Sequence, residues 1–425
     1  MTSLNKLSLS QAARRVASGE FTVGDYWQAC QHRIAAREDS VGAFTYFDRT
    51  TIKTQLKQLV TEAPRSPIHG LPIGVKDIFD TNDMPTAYGS SIYEGHLSSL
   101  DAHCVDRLRT AGALFPGKTV TTEFACFFPG KTRNPHNLDH TTGGSSMGSA
   151  AAVADFMLPV ALGSQTAASV TRPAAYCGVI GYKASHGAFD LSGVKGLSES
   201  MDSLGFFSRD LADLTLLRQA ILGAGGATQL TAKKSLRIGF VRTPHWSELC
   251  SASQDVLEAS VGRLEKAGME VNDVTVGPTD GRLTEAHKTV MGYEAARALS
   301  YEFTHHRDRL SLPMAQMLEG GLALPGEAYG EALTLRDQWR ARLADLFQTV
   351  DLLLAPSAPG EAPKGHGSTG DPLFSRMWSL LGNPSITLPA GTGALGLPLG
   401  VQLIGPMAGD DQLIADARHV EALLG

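Results

Sequence analysis

No stretch of this 425-residue chain reaches the roughly 18 consecutive apolar residues of a membrane-spanning helix. The nearest candidate, Ala150 to Leu162, is shorter and carries Asp155. The opening MTSLNKLSLSQAARRVASGEF has no apolar core, so no secretory leader is expected. Cysteine is sparse: Cys30, Cys104, Cys126, Cys177 and Cys250 are scattered and odd in number. That pattern suits a reducing cytoplasm better than a disulfide framework. C-x-x-C and H-E-x-x-H are both missing, so no zinc site is expected. No phosphate-loop or strand-linked dinucleotide pattern occurs, and no cofactor is expected. Basic residues are not in excess: 37 Lys and Arg face 43 Asp and Glu, for a net charge of −6. That balance argues against nucleic acid or an anionic membrane as a partner.

What the chain does hold is an ordinary globular composition, with 43% hydrophobic and 19% charged residues. Residues 6–37 read as two helices joined at Gly19, and Leu71 to Phe79 as an apolar strand with a charged pair in its second half. SLRIGFV, SQDVLEASVGRLEKAG and MEVNDVTV form a β-α-β unit. Residues 282–310 and 327–349 are helical and charged, and the segment 277–349 is expected to shape a pocket beside a sheet. VDLLLAPSAPG, NPSITLPAG and LPLGVQLIGP read as buried strands, and DDQLIADARHVEALL as a closing amphipathic helix. The expected fold is a single α/β domain over residues 1–425, with a mixed, mostly buried β-sheet covered by helices.

Residues 141–171 contain one charge, Asp155, where the chain's own average gives about six. A segment that avoids charge so strongly is expected to be buried. Within it, Gly144-Ser145-Ser146-Met147-Gly148 matches G-x-S-x-G, the nucleophile elbow of a different hydrolase fold. That motif needs a strand immediately before the serine, and here NPHNLDHTT precedes it. A glycine-rich turn entering a helix explains the match better. His305-His306 reads as a solvated helix face, since adjacent helical side chains point about 100° apart. Lys76 follows the apolar run GLPIGV. Its plain reading is a salt bridge to Asp77 or a strand end at the surface. Its functional reading is a lysine whose burial lowers its pKa until it can act as a base.

Three segments together resemble the amidase signature family of serine hydrolases: GVKD with Lys76, GGSSMGSAAAVA from Gly143 to Ala154, and GSQTAASVTRPA from Gly163 to Ala174. The likeness continues through DSLGFFSRDLADL and GLPLGVQLIG, and so covers nearly the whole chain in order. The resemblance implies an amidase without metal or cofactor. Ser169 would be its acyl-enzyme nucleophile, Ser145 a bridging serine beside a cis peptide bond, and Lys76 the base. Backbone N–H groups of Thr166, Ala167, Ala168 and Ser169 would then hold the oxyanion.

The family's D-T-G-G-S-I-R reads here Gln165, Thr166, Ala167, Ala168, Ser169, Val170, Thr171. The usual acid and arginine are lost together, which strands neither charge. Two glycines have become alanines. Either the loop uses negative φ there or its donors are displaced. Arginine reappears one place later, at Arg172. In this the pattern is similar to the malonamidase branch, as are DMPTAYGSSIY and STGDPLFSRMWSLLGNP. That likeness implies that Arg172 grips the carboxylate of a small, malonamate-like amide. An ion pair with a distant acid, such as Asp155 or Glu123, is the other reading of a buried arginine. Alternatives for the whole chain are a hydrolase of carboxybiuret or allophanate, the amidase subunit of an amidotransferase, and a binding protein on the same scaffold. The expected partner is a small-molecule substrate, with a homodimer implied by the resemblance.

Overall fold

The computed structural model describes residues 3–126, 128–223, 226–278 and 280–424. Eleven strands make one sheet: β1 Phe44–Phe47, β2 Ile73–Lys76, β3 Gly117–Thr119, β4 Val160–Gln165, β5 Ile180–Lys183, β6 Ser203–Ser208, β7 Arg237–Val241, β8 Glu270–Val274, β9 Leu352–Pro356, β10 Ser385–Thr392 and β11 Pro398–Ile404. Their order across the sheet is β1-β3-β2-β4-β6-β5-β10-β11-β9-β7-β8. β2 runs parallel to both β3 and β4, and β7 runs parallel to both β8 and β9. The pairings β4–β6, β6–β5, β5–β10, β10–β11 and β11–β9 are antiparallel. The single α/β domain with a mixed sheet is therefore observed. Every residue of β2, β5, β6 and β9 is buried, because helices cover both faces. This is why those strands read as continuous apolar runs rather than alternating ones.

The first helices are Leu9–Ala17 and Val23–Val41, with Gly19 at φ 75° between them. The β-α-β unit is present as β7, helix Ser251–Lys266 and β8. The strand expected over Leu71–Phe79 is shorter, ending at Lys76. There the amides of Ile78 and Phe79 both donate back to the Lys76 carbonyl, turning the chain. Lys76 thereby sits at the carboxyl end of a parallel strand beside the carboxyl end of β4, where α/β sheets place their ligands.

The uncharged segment forms helix Met147–Ala154, buried from Met147 through Val153. Its small side chains allow close packing. A Cβ on Gly148 would lie 2.0 Å from the Ala43 carbonyl oxygen and 2.4 Å from the Val120 nitrogen. The glycine of the apparent elbow motif is thus a packing glycine, and a loop, not a strand, precedes Ser146. Helices Leu312–Ala323, Gly326–Leu346 and Leu373–Leu381 each pack against helix Arg282–Ala298. No described helix is long and apolar enough to cross a membrane.

Candidate active site

Lys76 is completely buried, and its Nζ lies 2.8 Å from Ser145 Oγ, 2.8 Å from Ser164 Oγ and 3.4 Å from the Ser164 carbonyl. The adjacent Asp77 faces Lys118 instead, at 3.5 Å, so the plain salt-bridge reading of Lys76 does not hold. Without an ion-pair partner among the described residues, burial pulls the Lys76 pKa down to about 7, with the more distant Asp202 opposing. A lysine poised there is neutral for much of the population at neutral pH, and its lone pair can take a proton from Ser145.

The Gly144–Ser145 peptide bond is cis. The Ser145 carbonyl accepts from the amides of Thr122 at 3.2 Å and Met147 at 2.9 Å. The Ser146 amide donates to the Ser169 carbonyl at 3.4 Å, which lays the two serine segments side by side. The Ser145 and Ser169 hydroxyls are not hydrogen-bonded to each other in this structure, although both line the same cavity.

The loop carrying Ser169 leaves β4 at Gln165 and enters helix Thr171–Cys177. Gln165 Oε1 accepts from the amides of Val170 at 2.8 Å and Thr171 at 3.0 Å and from Thr171 Oγ1 at 3.1 Å. Gln165 Nε2 donates to Ser379 Oγ at 3.1 Å, and that hydroxyl donates to the Ala167 carbonyl at 2.7 Å. Where the family pattern has an acid and an arginine, this chain has a neutral Gln165–Thr171 hydrogen bond. Thr166 Oγ1 donates to Asp202 at 2.5 Å, and the Thr166 carbonyl accepts from His287 Nε2 at 3.0 Å.

With the Thr166 and Ala167 carbonyls tied back, the amides of Thr166, Ala167, Ala168 and Ser169, the four expected donors, donate to no described group. Unpaired backbone amides at a cavity wall are rare, and four in succession make a ready anion site. Neither alanine has positive φ, so the conformation is open to any L-residue and no glycine is needed. Gln165 carries much of this architecture. Gln165→Met keeps the volume but leaves two buried amides without an acceptor, and is expected to cost about 2–3 kcal/mol. Denaturant unfolding checks this; a loss below about 0.5 kcal/mol would contradict it.

Ser145, Ser169, Arg172, Arg376 and Cys126 share the wall of a cavity of about 300 Å³. Met291 and Pro313 bring the helical segment to its rim. A larger apolar groove of about 1050 Å³, lined in part by Ala13, Phe21 and Leu216, contains none of these groups. Arg172 bonds the carbonyls of Gly370 and Gly144, each at 2.8 Å, and Thr369 Oγ1 at 2.9 Å. The acids proposed for an ion pair are engaged elsewhere: Asp155 with Arg33 and Arg37, and Glu123 with Ser311. Burial lowers the Arg172 pKa to about 10, which leaves it charged at neutral pH.

Reading the sequence alone passed over Ser164, Asp202, His287 and Arg376. Arg376 had a usable signal, since it is a charge inside the apolar helix LFSRMWSLL, as Arg172 is in its own buried segment. His287 had none, because its helix is charged throughout.

Comparison with known proteins places this geometry in context. The Amidase family model matches residues 25–414. A glutamyl-tRNA(Gln) amidotransferase subunit of Mycobacterium ulcerans is 29% identical, over 100% of this chain and 99% of its own. The crystal structure of an amidase superposes with a TM-score of 0.90 at 30% identity, over 99% of this chain and 100% of that one. A protein from a vestigial complex, studied for the origins of an s-triazine catabolic enzyme, gives a TM-score of 0.86 at 25% identity, over 96% and 97% of the two chains.

Proposed function

This chain belongs to the Amidase family, and from that premise we propose that it hydrolyses a small linear amide carrying a free carboxylate, through a Ser-Ser-Lys relay and an acyl-enzyme. The observation that carries the reading is the buried Lys76, with no ion-pair partner among the described residues and its Nζ 2.8 Å from Ser145 Oγ. Neutral Lys76 takes the Ser145 proton as Ser145 takes that of Ser169. The freed Ser169 oxygen attacks the amide carbon, and the carbonyl electrons move onto oxygen. The amides of Thr166, Ala167, Ala168 and Ser169 receive that oxyanion. The proton returns along the same chain to the nitrogen, the C–N bond breaks, and the amine departs. Water, deprotonated by the same relay, then splits the ester and releases the acid. The Ser145–Ser169 hydrogen bond is the contact that substrate binding must close, a tightening common between free and occupied sites.

The carboxylate follows from electrostatics. Two buried guanidiniums, Arg172 and Arg376, reach the cavity, and neither forms an ion pair with a described carboxylate. Such charges need an anion, and in a cavity this small the substrate supplies it. A malonamate-like monoamide fits this chemistry, with Arg172 as one of its contacts.

The likeness to the s-triazine-related protein favours a second reading on the same site, a carboxylated urea such as carboxybiuret or allophanate. The M. ulcerans relative raises a third, a component of an amidotransferase; copurification with a second protein separates that case. For the leading reading, a turnover screen pairs malonamate and succinamate with propionamide and butyramide. The expected preference for the carboxylated amides is about 100-fold in kcat/KM, as for a buried charge pair. A ratio within about threefold would contradict the carboxylate assignment.

A further inference from the structure

The two arginines at the cavity are not equivalent donors. A guanidinium offers five N–H groups. Arg172 commits three of them to Gly370, Gly144 and Thr369, including both on Nη2. Its Nε is sealed from the cavity without a partner among the described residues. One N–H, on Nη1, remains for a ligand, so a two-point grip on a carboxylate is not open to Arg172. Arg376 is also buried, at 7% exposure, yet it makes a single hydrogen bond, from Nη1 to His287 Nδ1 at 3.0 Å. Its other N–H groups have no described partner and are not sealed. Asp371 and Glu285 act on its charge only at longer range, and neither pairs with it.

We propose that Arg376 determines specificity. Its free guanidinium edge takes the substrate carboxylate by two parallel hydrogen bonds. Arg172 adds one N–H and its charge while fastening the Gly144 and Gly370 carbonyls and the Thr369 hydroxyl. The grip is also joined to the catalytic loop. Because Arg376 donates to Nδ1, the His287 proton is on Nε2, which donates to the Thr166 carbonyl at 3.0 Å. Burial and the neighbouring guanidinium push the His287 pKa down to about 3, so this bridge stays neutral across the working pH range. Arg376 itself therefore stands two hydrogen bonds from the oxyanion loop, and a carboxylate on it three.

The inference rests on the carboxylate reading above but not on turnover. Its test is calorimetric titration of the full chain with malonate, a dicarboxylate with no amide to cleave. Arg376→Gln is expected to weaken malonate about 100-fold, and Arg172→Gln about 10-fold. Arg376→Lys, which keeps the charge without the fork, is expected to fall between wild type and Arg376→Gln, and it carries the test should the glutamine variant fail to fold. In parallel, the ratio of kcat/KM for malonamate over propionamide is expected to fall about 100-fold in Arg376→Gln. If malonate binding depends on Arg376 but no amide is cleaved, the hydrolase reading fails and this inference stands. If wild type does not bind malonate, or Arg172→Gln weakens it more than the Arg376 variants do, the inference is overturned.

Discussion

Replacing Ser169 by alanine should lower kcat/KM by about 10,000-fold or more, with KM for a carboxylated amide changed less than about threefold. The size follows from covalent catalysis. On the proposed mechanism no acyl-enzyme forms without the hydroxyl, and the four free amides and the arginines would still bind the substrate but have no nucleophile to serve. Folding should be little affected, because Ser169 contributes a small side chain at the cavity wall. Single-turnover kinetics with malonamate checks this. A residual rate above about 1% of wild type would place the nucleophile elsewhere, with Ser145 the first alternative.

The second large effect is at Lys76. Lys76→Met removes the proposed base while filling much of the same buried space, and is expected to cost about 1,000-fold in kcat/KM. Wild type should also show an acid limb. The folded-state pKa is depressed to about 7 by burial. Below that pH Lys76 is protonated and cannot accept, so kcat/KM should fall about tenfold per pH unit; above it the rate should level off. In Lys76→Met that limb should disappear. A wild-type profile flat from pH 5 to pH 8 would contradict Lys76 as the base. The same burial has a stability consequence of definite sign. A lysine whose folded pKa lies below its unfolded value binds fewer protons when folded, so its contribution improves as pH rises from about 7 toward 10.5.

Much of this was legible in the chain, for physical reasons that differ by residue. The central strands announced themselves because both their faces are buried, and the helix Met147–Ala154 because it excludes charge. Lys76 and Arg172 stood out as charges where charge is costly. Their partners did not. Ser164 meets Lys76 and Gln165 holds the helix start through contacts set by the turn after β4, and no spacing rule reports them. His287 and Arg376 lie more than 100 residues beyond Thr166, and are linked to the loop only because the helices Arg282–Ala298 and Leu373–Leu381 pack against each other and His287 reaches the Thr166 carbonyl. The alanines of the loop could be judged only from φ, which the sequence left open between two outcomes. The strand at Lys76 was read too long because apolar Ile78 and Phe79 continue the pattern inward after the backbone has turned.

The relay itself is tested most directly by mapping the site of an active-serine fluorophosphonate. Wild type, Lys76→Met and Ser169→Ala are each labelled at neutral pH, digested, and read by peptide mass spectrometry. One adduct is expected in wild type, on Ser169, and none in either variant. An adduct on Ser145 or Ser146 instead, or equal labelling of Ser169 without Lys76, would contradict the relay.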